Sequence, residues 1–593
     1  MKKSTFIFYW FCLFFFILNV SCNADTEKIY VSPKGKDSNS GKLFSPVANI
    51  DEALSRAQKI FRNNRGMKVE VLLANGNYYL KAPLIINEDI VGDKSNELSI
   101  RGRGSSVSIT GGEPLEDKKW RKVADTENGS IWSYQLSEGE KTRQLFKNDI
   151  RLKRSSSPYL KTEGPAKNYV DRIKRFDFVG INLLKNETLE PFCSFVFKGS
   201  DLADLDDWGN AEVIVHHSWE SSWHEIAKVD NEHRTIYLTN AFRYPVGFFS
   251  TELSYRVENS RDYFTEPGTW MFDSNSQEIL YYASKGEGME GFVVPRIQEV
   301  LQIVGKKNQP IKNISFSNIQ FSHTTYPWGV NEVESRLVKS NEAKYSWMNF
   351  TKGYSGSQTA PRSGQAIVLE YTSQIKFEDC TFSNFGAYAI KIGRGAKETY
   401  ILENVFHGNG SGAILVGMDV RNVNPNSFPK VEAASNNVIK SNRIHDNGVI
   451  HPSGVGIAIM HSYENLVENN VIYNMPYSGI SMGWTWNDGL NYTKDNALVN
   501  NEIYNVMQLL ADGGGIYTLG NLNGCRIINN KIYNLIKSKH AVGATINGIF
   551  FDQGSSEVIV EGNQVNGIEG QLLKYNKANQ KSILLLNNSL DGN

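Results

Sequence analysis

From residue 370 onward the apolar positions come in short β-branched runs separated by asparagine and glycine, and the same unit keeps returning. Each unit has a β-branched run, an asparagine, a second short apolar run, a polar turn, and a glycine leading into an isoleucine-rich strand. The asparagines mark it: Asn404 in LENVFHGNG, Asn442 in SNRIHDNG, Asn470 in ENNVIYNM, Asn501 in NNEIYNV, Asn530 in NNKIYNL and Asn563 in GNQVNGI. A spacing of roughly 25 to 38 residues is that of a solenoid, whose units cannot bury an apolar face alone. A helical solenoid would place apolar residues at i, i+3, i+4 and i+7, whereas these runs are short and bounded by Gly and Asn, so the coils are strands. An asparagine in a tight turn accepts the left-handed conformation, and its amide can bond the turns above and below. The pattern therefore predicts a ladder of structural asparagines that satisfies buried polar groups coil after coil.

The strand after each turn reads GAYAIKIG, GSGAILVG, GVGIAIMHS, YSGISMGW, GGGIYTLG and NGIFFDQG. With Ile390, Ile414, Ile457, Ile480, Ile516 and Ile549 as equivalent inward positions, strand alternation points the first and third following residues outward. That outward face then carries Ser481, Tyr517, Phe550 and Asp552. Earlier in the chain, IYVSPKGKDSNSGKLFSPVANIDEALSRAQ gives a strand, a turn and a helix with Ala53, Leu54, Ala57 and Ile60 on one face, suited to capping the open end of the stack. VEVLLANGNYYL and LSIRGRGSSVSITGG read as first coils. Between Glu113 and Val294 the repeat disappears into alternating strands such as AEVIVHHSWESSWHEIAKV. The predicted architecture is all-β: a right-handed parallel β-helix with an N-terminal helical cap and an inserted antiparallel, sandwich-like module. Its parts are a signal over 1–22, cap and first coils over 27–112, the module over 113–294 and the main β-helix over 295–593. Residues 325–362, rich in Trp, Tyr, Ser and Gly, form a long loop between coils, a common site of function.

The first residues add a destination. Lys2 and Lys3 precede an apolar run from Phe6 to Leu18 that is too short for a membrane span and reads as a secretion signal. It ends in Leu18-Asn19-Val20-Ser21-Cys22, which resembles a lipobox and predicts lipidation at Cys22; cleavage after Ala24 is the other reading. The mature chain is expected in the periplasm or anchored to the outer membrane, touching membrane only through that lipid. Lysine plus arginine and aspartate plus glutamate both number 63, so no net basic charge favours nucleic acid. Cys193, Cys380 and Cys525 lack the close paired spacings of a zinc or redox site, and the stack holds Cys380 and Cys525 too far apart for a disulfide. No metal and no cofactor is expected; His216, His217 and His224 lack a third-ligand motif of accepted spacing.

The strings YVSPKGKDSNSGKLFSPVANIDEAL, ITGGEPLEDKKW, RQLFKNDIRLKR, YRVENSRDYFTEPGTWMFD, ILYYA and VPRIQEVLQI, in that order, resemble the β-helix proteins of glycoside hydrolase family 141. The resemblance spans most of the mature chain. It implies glycosidic hydrolysis by two aspartates in the β-helix groove; the family includes an α-L-fucosidase acting on a pectic side chain and a xylanase, so the expected substrate is a plant cell-wall glycan of one of these kinds. The aspartates that match are Asp512 in LLADGGGIYTLG and Asp552 in NGIFFDQGSS. Hydrolysis needs one protonated carboxyl group and one carboxylate, so the chemistry agrees in kind. Flat, aligned strands would hold the two about 20 Å apart, so the pair requires the chain at Gly513-Gly514-Gly515 to carry Asp512 back. Two phenylalanines before Asp552 suit it to the role of acid. Other groove candidates are His461 and Glu464, Trp484, Trp486 and Asp488, and Arg394 with Glu370; the tryptophans are candidate sugar-stacking walls. Two rival functions remain open at this stage. A polysaccharide lyase would carry a basic set and an acidic calcium cluster, and a non-catalytic glycan-binding β-helix would need no paired carboxylates.

Overall fold

The computed structural model describes residues 26–92, 95–166, 192–203, 205–206, 208–327, 353–355, 358–420, 423–487 and 489–591. The signal, with Cys22, and Asp488 lie outside the described residues. The chain is a right-handed parallel β-helix. Among the described residues its coils stack into parallel sheets of twelve, ten and eleven strands. The coil that carries Asp512 supplies Ala497–Val499 to the twelve-stranded sheet, Glu502–Tyr504 to the eleven-stranded sheet and Gly513–Thr518 to the ten-stranded sheet.

The ten-stranded sheet follows the predicted column. Ile390, Ile414, Ile457, Ile480, Ile516 and Ile549 pair one to the next in direct register, and all are fully buried. Burying such a side chain stabilises the fold by about 1.5–3 kcal/mol. A slip of one residue would turn the whole column to the other face, so the register is strongly specified. The predicted outward residues Ser481, Tyr517 and Phe550 do face outward, yet each is covered.

The asparagine ladder runs through Asn404, Asn442, Asn470, Asn501, Asn530, Asn563 and Asn588. Each of the first six donates its backbone N–H and side-chain amide to the carboxamide oxygen of the next, at 2.9–3.1 Å. The left-handed residue is the one before each rung: Glu403, Ser441, Asn469, Asn500 and Asn529 have φ between 54° and 58°. This corrects the assignment of that conformation to the ladder asparagines, whose backbones are freed to present the amide inward. Cys380 takes the rung before Asn404, its N–H bonding Asn404 Oδ1 at 2.9 Å. Cys525 ends a parallel ladder of Asn437, Asn465 and Asn496. Cys193, Cys380 and Cys525 are buried free thiols.

The helix Ile50–Asn63 carries Asp51 and Glu52 in its first turn and Arg62 in its last, charges that complement its dipole. It buries Ile50, Ala53, Leu54, Ala57 and Phe61, while Ile60, expected on that face, is only half-covered. The strand Glu97–Gly102 pairs directly with Ile311–Ser317, so the stack passes unbroken across the excursion between them. Where the chain leaves and returns, Gly112–Pro114 pairs antiparallel with Phe292–Pro295. The excursion holds a sheet joining Arg121–Asp125, Gly129–Gln135, Glu278–Ser284 and Thr269–Asp273. It also holds six antiparallel strands that close on themselves: Glu212–His216, Ser254–Glu258, Leu160–Gly164, Ser194–Phe197, Thr235–Leu238 and Ser221–Asp230. The sandwich-like expectation thus resolves into a sheet beside a small barrel. From the long loop, Gly353–Ser355 adds a strand to that barrel beside Ser222, Trp223 and His224.

Candidate functional site

Asp512 and Asp552 stand at opposite ends of two neighbouring, aligned strands of the ten-stranded sheet, and the Asp552 charge acts on the Asp512 carboxyl across the outward face between them. Asp512 immediately precedes Gly513–Thr518, Asp552 immediately follows Ile546–Phe551, and Gln571–Tyr575 lies alongside on the next coil. The backbone turn is at Asp512 itself, with φ 56°. Gly513, Gly514 and Gly515 form no reversal, contrary to expectation; they lie within the strand, where neighbours crowd the chain. A Cβ on Gly515 would stand 2.4 Å from an Ile532 methyl, and one on Gly514 would stand 2.9 Å from the Asn547 carbonyl.

Asp552, only 8% exposed, accepts hydrogen bonds on both oxygens. Tyr517 Oη donates to Oδ2 at 2.5 Å and Asn576 Nδ2 donates to Oδ1 at 2.7 Å. Asp512 Oδ1 lies 3.7 Å from Lys574 Nζ, and the Asp512 side chain keeps 27% of its surface exposed. Tyr477 Oη donates to the Asp512 carbonyl at 3.0 Å and accepts from Gln358 Nε2 at 2.9 Å. Burial raises the Asp512 carboxyl, Lys574 holds it down, and the Asp552 charge raises it further, to about 6. That raised proton affinity suits Asp512 to hold a proton near neutral pH. Tyr477, pushed well above the ordinary phenol range by burial, feels the charge of both aspartates.

The remaining predicted residues divide. Trp486 packs on Tyr517, Leu519 and Phe550 and so borders the cluster. Trp484 meets it edge-on at 4.9 Å and donates Nε1–H to Asp419 Oδ1 at 2.9 Å; Arg362 Nε donates to the other oxygen of that carboxylate at 2.8 Å. His461 is buried, its Nε2 2.6 Å from the Val420 carbonyl, and burial lowers its pKa to about 4. It supports a loop. Glu464 is an exposed left-handed turn residue before ladder residue Asn465, at a corner leading to the twelve-stranded sheet. Arg394 is committed to Glu432: its Nε donates at 2.5 Å, while Lys307 and Tyr371 hold the same carboxylate. Glu370 ends the strand Gln365–Glu370 on that side of the stack.

The inserted barrel forms a wall. The Ala511 N–H, next to Asp512, donates to the Ser218 carbonyl at 2.7 Å, and His540 stacks on Tyr159 at 4.1 Å. The three barrel histidines singled out in the sequence are buried and bonded to neighbours: His216 to Ser221, His217 to Ser222, and His224 to Asn240 and Ser222. Burial lowers His217 to about 3 and His224 to about 4. Sequence reasoning missed Lys574, Asn576, Tyr477, Gln358 and Asp419. One further coil would have found the first two, because Leu573 pairs with Ile549 and makes Lys574 and Asn576 its first and third following residues. Tyr477 opens the repeat string YSGISMGW, three residues before Ile480, whereas Gln358 and Asp419 come from loops that carry no repeat signal.

The family model of the right-handed β-helix region matches residues 365–565. A solved structure described as a glycoside hydrolase is 19% identical, with a TM-score of 0.74 over 95% of this chain and 97% of that one. A complex of XylC with xylose is 13% identical over 92% of this chain and 69% of that one, with a TM-score of 0.47. The pectate lyase Pel9A is 10% identical over 95% of this chain and 80% of that one, with a TM-score of 0.36. No curated protein sequence matches. What this chain shares with the solved glycoside hydrolase, over nearly the full length of both, is therefore its fold.

Proposed function

We propose that this protein is an exported glycoside hydrolase, of the kind found in glycoside hydrolase family 141, that cleaves a plant cell-wall glycan with Asp512 and Asp552. The observation that carries the reading is a pair of carboxyl groups on neighbouring strands, close enough for the charge of one to act on the other, with unlike surroundings. Asp512, partly open to solvent and raised to about 6, is the general acid that gives its proton to the glycosidic oxygen as the bond breaks. Asp552, clasped by Tyr517 and Asn576, is the carboxylate that attacks the anomeric carbon or draws a proton from the attacking water. Trp486 supplies an apolar edge for a sugar ring. The substrate class proposed is a pectic side chain, such as an α-L-fucoside, or xylan.

A polysaccharide lyase has one observation in its favour, the Lys574 amine within the cluster, because such enzymes take the proton beside a uronate carboxyl with a basic side chain. Product analysis on pectic side-chain and xylan oligosaccharides separates the readings. Release of a saturated sugar, lost in both Asp512→Asn and Asp552→Asn, is expected. Unsaturated products would make the protein a lyase, and no turnover of any oligosaccharide would make it a binding protein.

A further inference from the structure

The strand Gln571–Tyr575 and the residue after it place two polar side chains, Lys574 and Asn576, two positions apart on the outward face of the sheet. Each meets a different aspartate. Asn576 bonds Asp552 at 2.7 Å, and Lys574 reaches Asp512 at 3.7 Å. The lysine is itself fixed from two sides: its ammonium lies 4.6 Å from the centre of the Phe550 ring and donates to Thr545 Oγ1 at 3.2 Å. Thr545 in turn accepts the Asp512 N–H through its carbonyl at 3.2 Å. Lysine and aspartate are therefore anchored to the same short piece of the intervening coil. Cation–π contact and a hydroxyl acceptor orient an otherwise flexible stem.

We propose that Lys574 is the positioning residue of Asp512, holding its carboxyl toward the cluster and determining the pH range over which it keeps its proton. The inference rests on the reading of Asp512 as the acid. The ionisable groups facing Asp512 are Lys574 from the coil beyond, Asp552 from the intervening coil and Tyr477 from the preceding one. Of these, Lys574 alone is a cation, and it opposes the burial and the Asp552 charge that favour the neutral acid. An opposite charge at this range moves a carboxyl by about one unit or more.

The test compares Lys574→Met, which keeps the stem and removes the charge, with Lys574→Arg, which keeps the charge. The first readout is the pH profile of kcat/KM on whichever oligosaccharide the parent cleaves. The second needs no activity: the pH dependence of the stability difference between Asp512 and Asp512→Asn, measured in each Lys574 background. Lys574→Met is expected to move the alkaline limb, and the step in the stability difference, upward by about one pH unit. Lys574→Arg is expected to restore both. A folded Lys574→Met protein in which neither moves would overturn the inference. Should Lys574→Met not fold, Lys574→Arg against Lys574→Gln gives the same comparison. A parent that cleaves nothing would defeat the hydrolase reading, while the stability readout would still decide what Lys574 does to Asp512.

Discussion

Replacing Asp512 with asparagine is expected to stabilise the protein in neutral solution while it removes hydrolysis. The carboxyl is raised from 3.8 to about 6 by its surroundings, so the folded chain binds this proton more tightly than the unfolded chain does. Stability from this group is therefore fully present below about pH 3.8 and is lost as pH rises through about 6. The shift of about two units corresponds to about 3 kcal/mol at full ionisation, an upper figure because the side chain keeps some solvent contact. Roughly half of that, about 1.4 kcal/mol, falls between about pH 5 and about pH 8. Asparagine has the same shape and no such dependence. Urea unfolding of parent and variant across that interval should show the variant gaining on the parent by about that amount. A stability difference that stays flat with pH, or that runs the other way, would refute the claim that burial presses Asp512 toward its neutral form.

Three further outcomes follow from other parts of the molecule. Tyr517→Phe removes the 2.5 Å donor on Asp552; a hydrogen bond to a charged group contributes about 1.5–3 kcal/mol, so kcat should fall by about ten- to a hundredfold on the substrate found. Asn501→Ala deletes a rung that serves the Val467 carbonyl and both donors of Asn470, and should cost about 2–4 kcal/mol by urea unfolding; the exposed Asn77→Ala should stay within about 0.5 kcal/mol. Cys22→Ser should abolish lipid labelling and release the protein from the membrane fraction, and retention of both would leave cleavage after Ala24 unsupported as well as lipidation.

The stack was legible because each coil repeats one instruction, an inward isoleucine and an asparagine rung, although the left-handed turn proved to lie one residue before each rung. Reading the repeat demanded no knowledge of what lay across the core. The candidate site was half legible for the same reason. Asp552, Tyr517 and Phe550 sit at fixed offsets from Ile516 and Ile549, whereas the role of Arg394 depends on Glu432 and that of His461 on Val420, partners set by loops of irregular length. Local sequence could not say that these side chains were already taken. The barrel escaped full prediction because closing it requires Glu212–His216 to pair with both Ser221–Asp230 and Ser254–Glu258, a closure that alternation alone does not encode.

The hydrogen-bonded seam between Gly112–Pro114 and Phe292–Pro295 gives the inserted module the topology of a graft. Its two ends are joined to each other before they join the stack, so a different module could be spliced at the same seam without removing a rung from the β-helix. The barrel of this chain touches the residue beside Asp512 through Ser218. Exchange at the seam would accordingly replace the outer wall of the cluster and leave both aspartates on their strands, separating inheritance of the chemistry from inheritance of the shape that selects what reaches it.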